Sequence, residues 1–234
     1  MAVLYERARF RLSGDRALLA EYGDGIDLAI NDKVRTLAAL LKRNLPAGVE
    51  AVVPAYRSLS LLYDPLATDP SRLREVLHAL EAEYSPSRAE EPIVVPIPVC
   101  YGGEFGPDLG VVAVHTGLSE KEVVALHTAV DYPIYMIGFT PGFCYLGGLD
   151  SRLRTPRRTT PRTTLAAGSV GIAESQTGMY PVESPGGWQI VGRTPLRLFA
   201  PERERPFLYA AGDRIRFVAI DEAEFAALYE REWT

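Results

Sequence analysis

Between Tyr135 and Thr194 the chain carries ten of its twenty glycines, six arginines (Arg152, Arg154, Arg157, Arg158, Arg162 and Arg193) and only three carboxylates (Asp150, Glu174 and Glu183). Glycine at that density permits positive φ and close backbone approach, while proline fixes φ between the tight spots. Such a segment folds as short β-runs and turns. The corners of a barrel account for some of these residues. They do not account for aromatics interleaved with glycine (GFTPGFCYLGG), for the arginine run RRTTPR, or for SPGGW after it. The stretch therefore reads as a ligand-facing surface, built on loops that a rigid scaffold holds in place.

The remainder of the chain supplies that scaffold. Residues 5–12 alternate as a half-buried strand does, and Ala17–Tyr22 makes a second strand after Ser13-Gly14-Asp15. Asp24-Gly25 opens a helix with Ile26, Ile30, Val34, Leu37, Leu41 and Leu45 on one stripe. Val49–Pro54 and Leu59–Tyr63 are two further strands, and Asp69-Pro70 caps a helix over Ser71–Tyr84. This ββαββα order predicts two helices on one face of a small antiparallel sheet. Ser85–Pro92 is polar and bounded by proline, which places a domain boundary there, with domains at 1–86 and 92–234.

The second domain starts with Ile93–Tyr101, whose Pro96 and Pro98 suit an edge strand or the entry to a barrel. Residues 101–108 read as a loop, and Val111–His115 as a strand or the start of a helix. Ser119 and Glu122 form a capping box for a helix that runs to about Val130. Short β-runs follow at Tyr135–Gly138, Val170–Ala173, Trp188–Gly192, Leu196–Phe199 and Ile215–Ile220, and Asp221–Trp233 closes as a helix. Many short strands with one or two helices predict a β-barrel, so the fold class is α+β.

The function classes narrow by exclusion. A net charge of -5 with both signs spread along 234 residues argues against a nucleic-acid partner. No apolar run reaches the roughly 18 residues of a membrane span, and no signal peptide is evident, so the expectation is a soluble, cytoplasmic protein. Cys100 and Cys144 lack zinc or CxxC spacing and read as buried free thiols. P-loop, dinucleotide, HExxH and GxSxG motifs are all missing. The chain has three histidines and three lysines against 22 arginines, so a histidine metal site and a lysine nucleophile are both disfavoured. Chemistry must then rest on arginines, His127, hydroxyls and backbone N–H groups.

Each candidate has a structural reading beside the functional one. Arg157, Arg158 and Arg162 present forks suited to carboxylate or phosphate, or else pair with the protein's own acids, such as those of the C-terminal segment. His127 is an acid or base near neutral pH, or a half-buried helix histidine bonded to a carbonyl. Trp188 is a stacking platform or core. Phe139, Phe143 and Tyr145 line an apolar wall or pack inside. Gln176, Thr177 and Tyr180 read a polar ligand or satisfy their own turn. Gly186 and Gly187 let backbone N–H groups approach a ligand.

GFTPGFCYL, PRRTTPR, AAGSVGIAESQTGMYP and SPGGWQIVGRTP, together with RSLSLLYDP and the helix bearing His127, resemble the signature segments of the allophanate hydrolase subunit 1 family. That family takes in the B subunit of 5-oxoprolinase, also described as KipI. The resemblance runs through nearly the whole chain. It departs at Leu165-Ala166, where the family often has Val-Pro, at Glu174, where it has Gly, and at position 144. It implies a small α/β domain followed by a cyclophilin-like β-barrel. It also implies ATP-dependent opening of 5-oxo-L-proline to L-glutamate by a complex with two partners. One is the C subunit, of the allophanate hydrolase subunit 2 family. The other is the A subunit, of the LamB/YcsF type. ATP is then used by the complex, and no metal is implied for this chain. His127, Arg158 and Arg162 become the catalytic candidates. Arg157, Phe139, Tyr145, Gln176, Tyr180, Gly186, Gly187 and Trp188 become the substrate-binding ones. Two alternatives stay open: an inhibitor of a sporulation histidine kinase, and a component of urea or allophanate metabolism.

Overall fold

A computed structural model describes residues 2–85 and 92–233. The chain divides into two compact units, residues 1–91 and 92–234. The expected polar linker, Ser85–Pro92, falls almost wholly on residues 86–91, which lie outside the described residues.

In the first unit the order is β1 (Leu4–Leu12), β2 (Ala17–Gly23), α1 (Leu28–Arg43), β3 (Val49–Pro54), β4 (Ser58–Tyr63) and α2 (Pro70–Glu83). The four strands form an antiparallel sheet in the order β1-β2-β4-β3. Leu18, Ala20 and Tyr22 of β2 and Leu59 and Leu61 of β4 are buried with Ile30, Val34, Leu37 and Leu41 of α1 and Leu73 and Leu77 of α2. The period-two and period-3.6 patterns thus meet in one core. The first helix starts later than Asp24-Gly25 implies. Asp27 is its cap, accepting from the Ala29 N–H at 2.8 Å, so Ile26 and Leu45 fall beyond the helix and are exposed.

The second unit contains β5 (Val94–Tyr101), α3 (Leu109–Thr116), α4 (Glu120–Thr128), β6 (Asp131–Ile137), β7 (Cys144–Leu146), β8 (Arg162–Leu165), β9 (Ser169–Ala173), β10 (Gln176–Met179), β11 (Ser184–Gly186), β12 (Gln189–Arg193), β13 (Arg214–Ile220) and α5 (Glu222–Trp233). Seven strands close into a barrel in the order β10-β7-β6-β13-β5-β12-β9, while β8 and β11 pair as a separate two-stranded sheet. Ile97, Val99, Tyr132, Ile134, Leu146, Val170, Ile172, Met179, Val191, Ile215 and Phe217 belong to its core. The family resemblance implies this barrel.

Several local outcomes decide between the alternatives left open by the sequence, and one departs from it. The proline-bearing β5 enters the barrel and is not an edge. It runs parallel to β13 from Val94 to Cys100 and pairs with β12 only at Cys100 and Tyr101. Its first half therefore has one ladder neighbour, which leaves room for residues that cannot donate. Leu196–Phe199 forms no strand, and Phe199 makes only a single bridge to Phe207. Val111–His115 is helical, within α3. The capping box at α4 forms as read: the Ser119 N–H donates to Glu122 at 2.8 Å and the Glu122 N–H donates to Ser119 Oγ at 3.3 Å. Glu174, at a position where the resembled family has glycine, adopts φ 51 in the turn between β9 and β10.

Gly106 fixes the approach of the loop before α3 to β12. A Cβ there would lie 2.0 Å from the Val191 carbonyl oxygen, a contact that only backbone movement relieves. Gly106→Ala is expected to destabilise the protein by about 2 kcal/mol or more, read as a lower urea midpoint at unchanged slope. A wild-type midpoint would show that the loop shifts without cost.

Candidate functional site

The arginine run closes on a carboxylate that the sequence reading did not single out. Asp108 is 3% exposed and precedes α3, yet its side chain makes no capping bond to that helix. It accepts instead from Arg162 Nη1 at 2.7 Å and Nη2 at 2.8 Å, from Arg158 Nη1 at 3.1 Å and from the Ile190 backbone N–H at 2.8 Å. Burial pushes the Asp108 carboxyl up. The hydrogen bonds from Arg162 and Ile190, with the charges of Arg162 and Arg158, outweigh that and hold it below its ordinary 3.8. Arg162 thus engages the protein's own acid with its paired fork, and Arg158 engages it through a single N–H. That acid comes from the loop before α3 and not from the C-terminal segment.

Arg157 points elsewhere. It is exposed, and its guanidinium sits 5.9 Å from the centroid of the Trp188 ring. Trp188 is 4% exposed, so it is core with one face capped by a cation. Trp188, Tyr180 and Phe143 meet edge to face, with centroids 5.3–6.3 Å apart. Tyr145 and Phe139 join through Phe143, at 4.9 and 5.5 Å. Burial raises the Tyr180 phenol to about 12, against a hydrogen bond from the Trp188 backbone and the charge of Arg157. Gly178 lets these rings press against β10, since a Cβ there would stand 3.1 Å from the Trp188 ring and 3.3 Å from Phe143. Gly186 is likewise explained by packing: its α-carbon lies against Leu165 and the Tyr180 hydroxyl. The Gly187 carbonyl accepts the Arg158 N–H at 2.8 Å, which ties the arginine run to the SPGGW turn.

The structure does not bring His127 to this surface. It is fully buried, stacked 4.6 Å from Phe217 and hydrogen-bonded at both ring nitrogens. Thr177 Oγ1 donates to the Gly171 carbonyl at 3.0 Å, so it accepts from His127 Nε2–H at 2.8 Å. Nδ1 is then the acceptor for the Tyr101 hydroxyl, also at 2.8 Å. Burial pulls the imidazole down from 6.5 to about 3. A neutral, saturated ring inside the barrel has no proton to exchange with an accessible ligand near neutral pH, and the proton-transfer expectation is corrected accordingly. Thr177 and Gly178 alternate on β10, so the strand separates His127 on the inside from the aromatic cluster outside.

Gln176 opens β10 and is half-buried. An open cleft of about 350 Å³, lined by Tyr101, Leu109, Glu120, Lys121, Val124 and Ala125, contains none of the site residues expected from sequence. Among the described residues no group of three or more His, Cys, Asp or Glu side chains is arranged to hold a metal ion, and both cysteines are buried free thiols. No helix among them is long and apolar enough to cross a membrane.

Two outcomes follow from this geometry. Asp108→Asn removes the single negative charge that two partly buried guanidiniums share and should cost on the order of 3 kcal/mol. Arg162→Lys, which keeps the charge but loses the paired fork, should cost about 1–2 kcal/mol. Urea titration checks both, and a change below about 0.5 kcal/mol for either would contradict the assignment. Because the folded Asp108 carboxyl titrates below 3.8, its stabilisation is present above that pH and lost as pH falls through the lower, folded value. His127 acts over a different window. The unfolded imidazole takes up a proton below 6.5 while the folded one resists it down to about 3. Stability should therefore fall by about 1.4 kcal/mol per pH unit as pH drops below 6.5. His127→Gln should flatten that slope between pH 6.5 and 5, and an identical slope would refute the buried-neutral assignment.

Residues 8–209 match the family model of the carboxyltransferase domain, subdomain C and D. The chain is 41% identical over 231 residues to the 5-oxoprolinase B subunit of Bacillus subtilis (strain 168), covering 93% of this chain and 95% of that protein. It is 44% identical over 215 residues to the 5-oxoprolinase B subunit of Escherichia coli O157:H7, covering 91% and 96% respectively. The crystal structure of TTHA0988 superposes with a TM-score of 0.79 at 40% identity over 88% of this chain, which spans only 40% of that longer chain. The urea amidolyase of Saccharomyces cerevisiae is more distant, 25% identical over 94% of this chain and 14% of its own length. Similarity above 40% from end to end, carried on the same barrel, shows that the chain belongs to the 5-oxoprolinase B-subunit family, within the carboxyltransferase subdomain C and D family.

Proposed function

We propose that this chain is the B subunit of an ATP-dependent 5-oxoprolinase and that it contributes to catalysis only in complex with partner subunits. The supporting observation is its end-to-end similarity to two curated proteins of that name. Ring opening of 5-oxo-L-proline breaks a stable amide: water adds to the lactam carbonyl carbon, the C–N bond breaks, and the nitrogen becomes the amine of glutamate. The carbonyl must be made more electrophilic first, and negative charge that develops on it must be met by fixed donors.

The residues of this chain do not fit a triphosphate by themselves. Arg158 and Arg162, the forks best suited to phosphate, both commit donors to Asp108, whose single charge offsets one of their two. No step through ATP is therefore assigned to this chain. In TTHA0988 the equivalent region is part of a longer chain, which supports a fold that works beside further protein. Within this chain, Arg157 over Trp188 is the solvent-facing cation placed to meet the carboxylate of the substrate. Asp108, Arg158 and Arg162 hold the segment that carries it.

The test is reconstitution. ADP release is measured with 5-oxoproline, urea or allophanate, for the chain alone and for the complex with both partners. The chain alone is expected to show no substrate-dependent release, and the complex to respond to 5-oxoproline. Turnover by the single chain, or a complex that answers to urea or allophanate and not to 5-oxoproline, would overturn the proposal.

A further inference from the structure

The loop between β6 and β7 holds a bulky side chain where its physical chemistry is least comfortable. Phe139 is 65% exposed and adopts φ 69, a backbone region that costs a non-glycine residue free energy and that glycine enters freely. The loop is not loose. The Gly138 N–H donates to the Phe143 carbonyl at 3.0 Å, the Thr140 N–H to the Gly138 carbonyl at 2.9 Å and the Phe143 N–H to the Thr140 carbonyl at 3.1 Å. The Tyr209 hydroxyl donates to the Gly142 carbonyl at 2.7 Å, and the α-carbon of Gly142 lies close to Pro181, Phe199 and Phe207. A rigid turn thus presents one aromatic ring outward. An edge-to-face contact with Phe143 ties that ring to the protein.

We infer that this loop is a docking knob, with Phe139 as the side chain that enters an apolar pocket on a partner subunit, namely the protein corresponding to the part of TTHA0988 that this chain does not span. The inference rests on the reading of this chain as one component of an assembly. Three observations converge on it. The strain and exposure of Phe139 bring the isolated chain little packing in return. The hydrogen-bonded loop removes most of the ordering cost of binding. The buried rings behind it, Phe143 and then Trp188, give it a fixed backing inside the chain. The occupant is argued from TTHA0988, where an equivalent unit makes up only 40% of a longer chain and so is joined to further protein.

Phe139→Gly and Phe139→Asn both accept positive φ, so neither should lower the thermal midpoint of the isolated chain. Calorimetry measures binding to a separately purified protein of the allophanate hydrolase subunit 2 family. Val114→Ser, at an exposed position on α3, serves as the control. Both Phe139 variants are expected to weaken binding about tenfold or more, and Val114→Ser to leave it unchanged. Wild-type affinity in the Phe139 variants would overturn the docking assignment while leaving the proposed function intact. Lower midpoints with retained binding would show a packing role and overturn it as well. Failure of the wild-type chain to bind that partner would overturn the proposed function, and this inference with it.

Discussion

The second unit depends on one carboxylate. Asp108 collects four hydrogen bonds from two segments that are distant from it in sequence: two from Arg162, one from Arg158 and one from the backbone of Ile190. A carboxylate taken this far from water is tolerated only when its lone pairs are filled, and here they are filled by charged or backbone donors. The consequence is mechanical. The start of α3, the arginine run and β12 are joined at a point, and the small β8–β11 sheet is held beside the barrel. The spacing of Arg158 and Arg162, with Pro161 directing the chain between them, is what brings two forks to one acid.

That clamp also sorts the arginines by role. Two of the three in PRRTTPR are absorbed by structure, and the third is left over the Trp188 ring, facing solvent. The barrel wall sorts the remaining candidates in the same manner. On β10, Thr177 turns inward to bond His127 while Gly178 turns outward beneath Trp188 and Phe143. Adjacent residues in one short motif therefore belong to separate environments. One is a dry interior where imidazole stays neutral. The other is an aromatic surface bordered by Arg157.

The aromatic surface is layered. Phe143, Tyr180 and Trp188 form its buried floor, Tyr145 is half-buried at the side, and Phe139 stands out on the rigid loop. This gradient from floor to tip leaves Phe139 as the most exposed ring of the group.

Periodicity and turn chemistry were enough to read the first unit: alternation in β2 and β4, the stripe from Ile30 to Leu41, and Asp69-Pro70 before α2 are local signals, and the core they imply is local too. The capping box of α4 and the glycine-rich short strands were legible for the same reason. They report backbone preferences that neighbours a few residues apart already set. Phe139, Tyr145, Tyr180, Trp188 and Arg157 stood out in the sequence because they sit in the glycine-rich motifs, not because their contacts could be read there. Pairings across long separations were not legible. Asp108 lies 50 residues from Arg158 and 82 from Ile190, and a single aspartate in a loop carries no mark of its partners. His127 lies 50 residues from Thr177, and its helix pattern could not say whether the ring would face water or the barrel. Local sequence determined which elements form and which side chains are available for chemistry. Only barrel closure decided which of them are neutralised, which are dried out and which remain at the surface, because burial and charge pairing depend on neighbours that the chain supplies from far away.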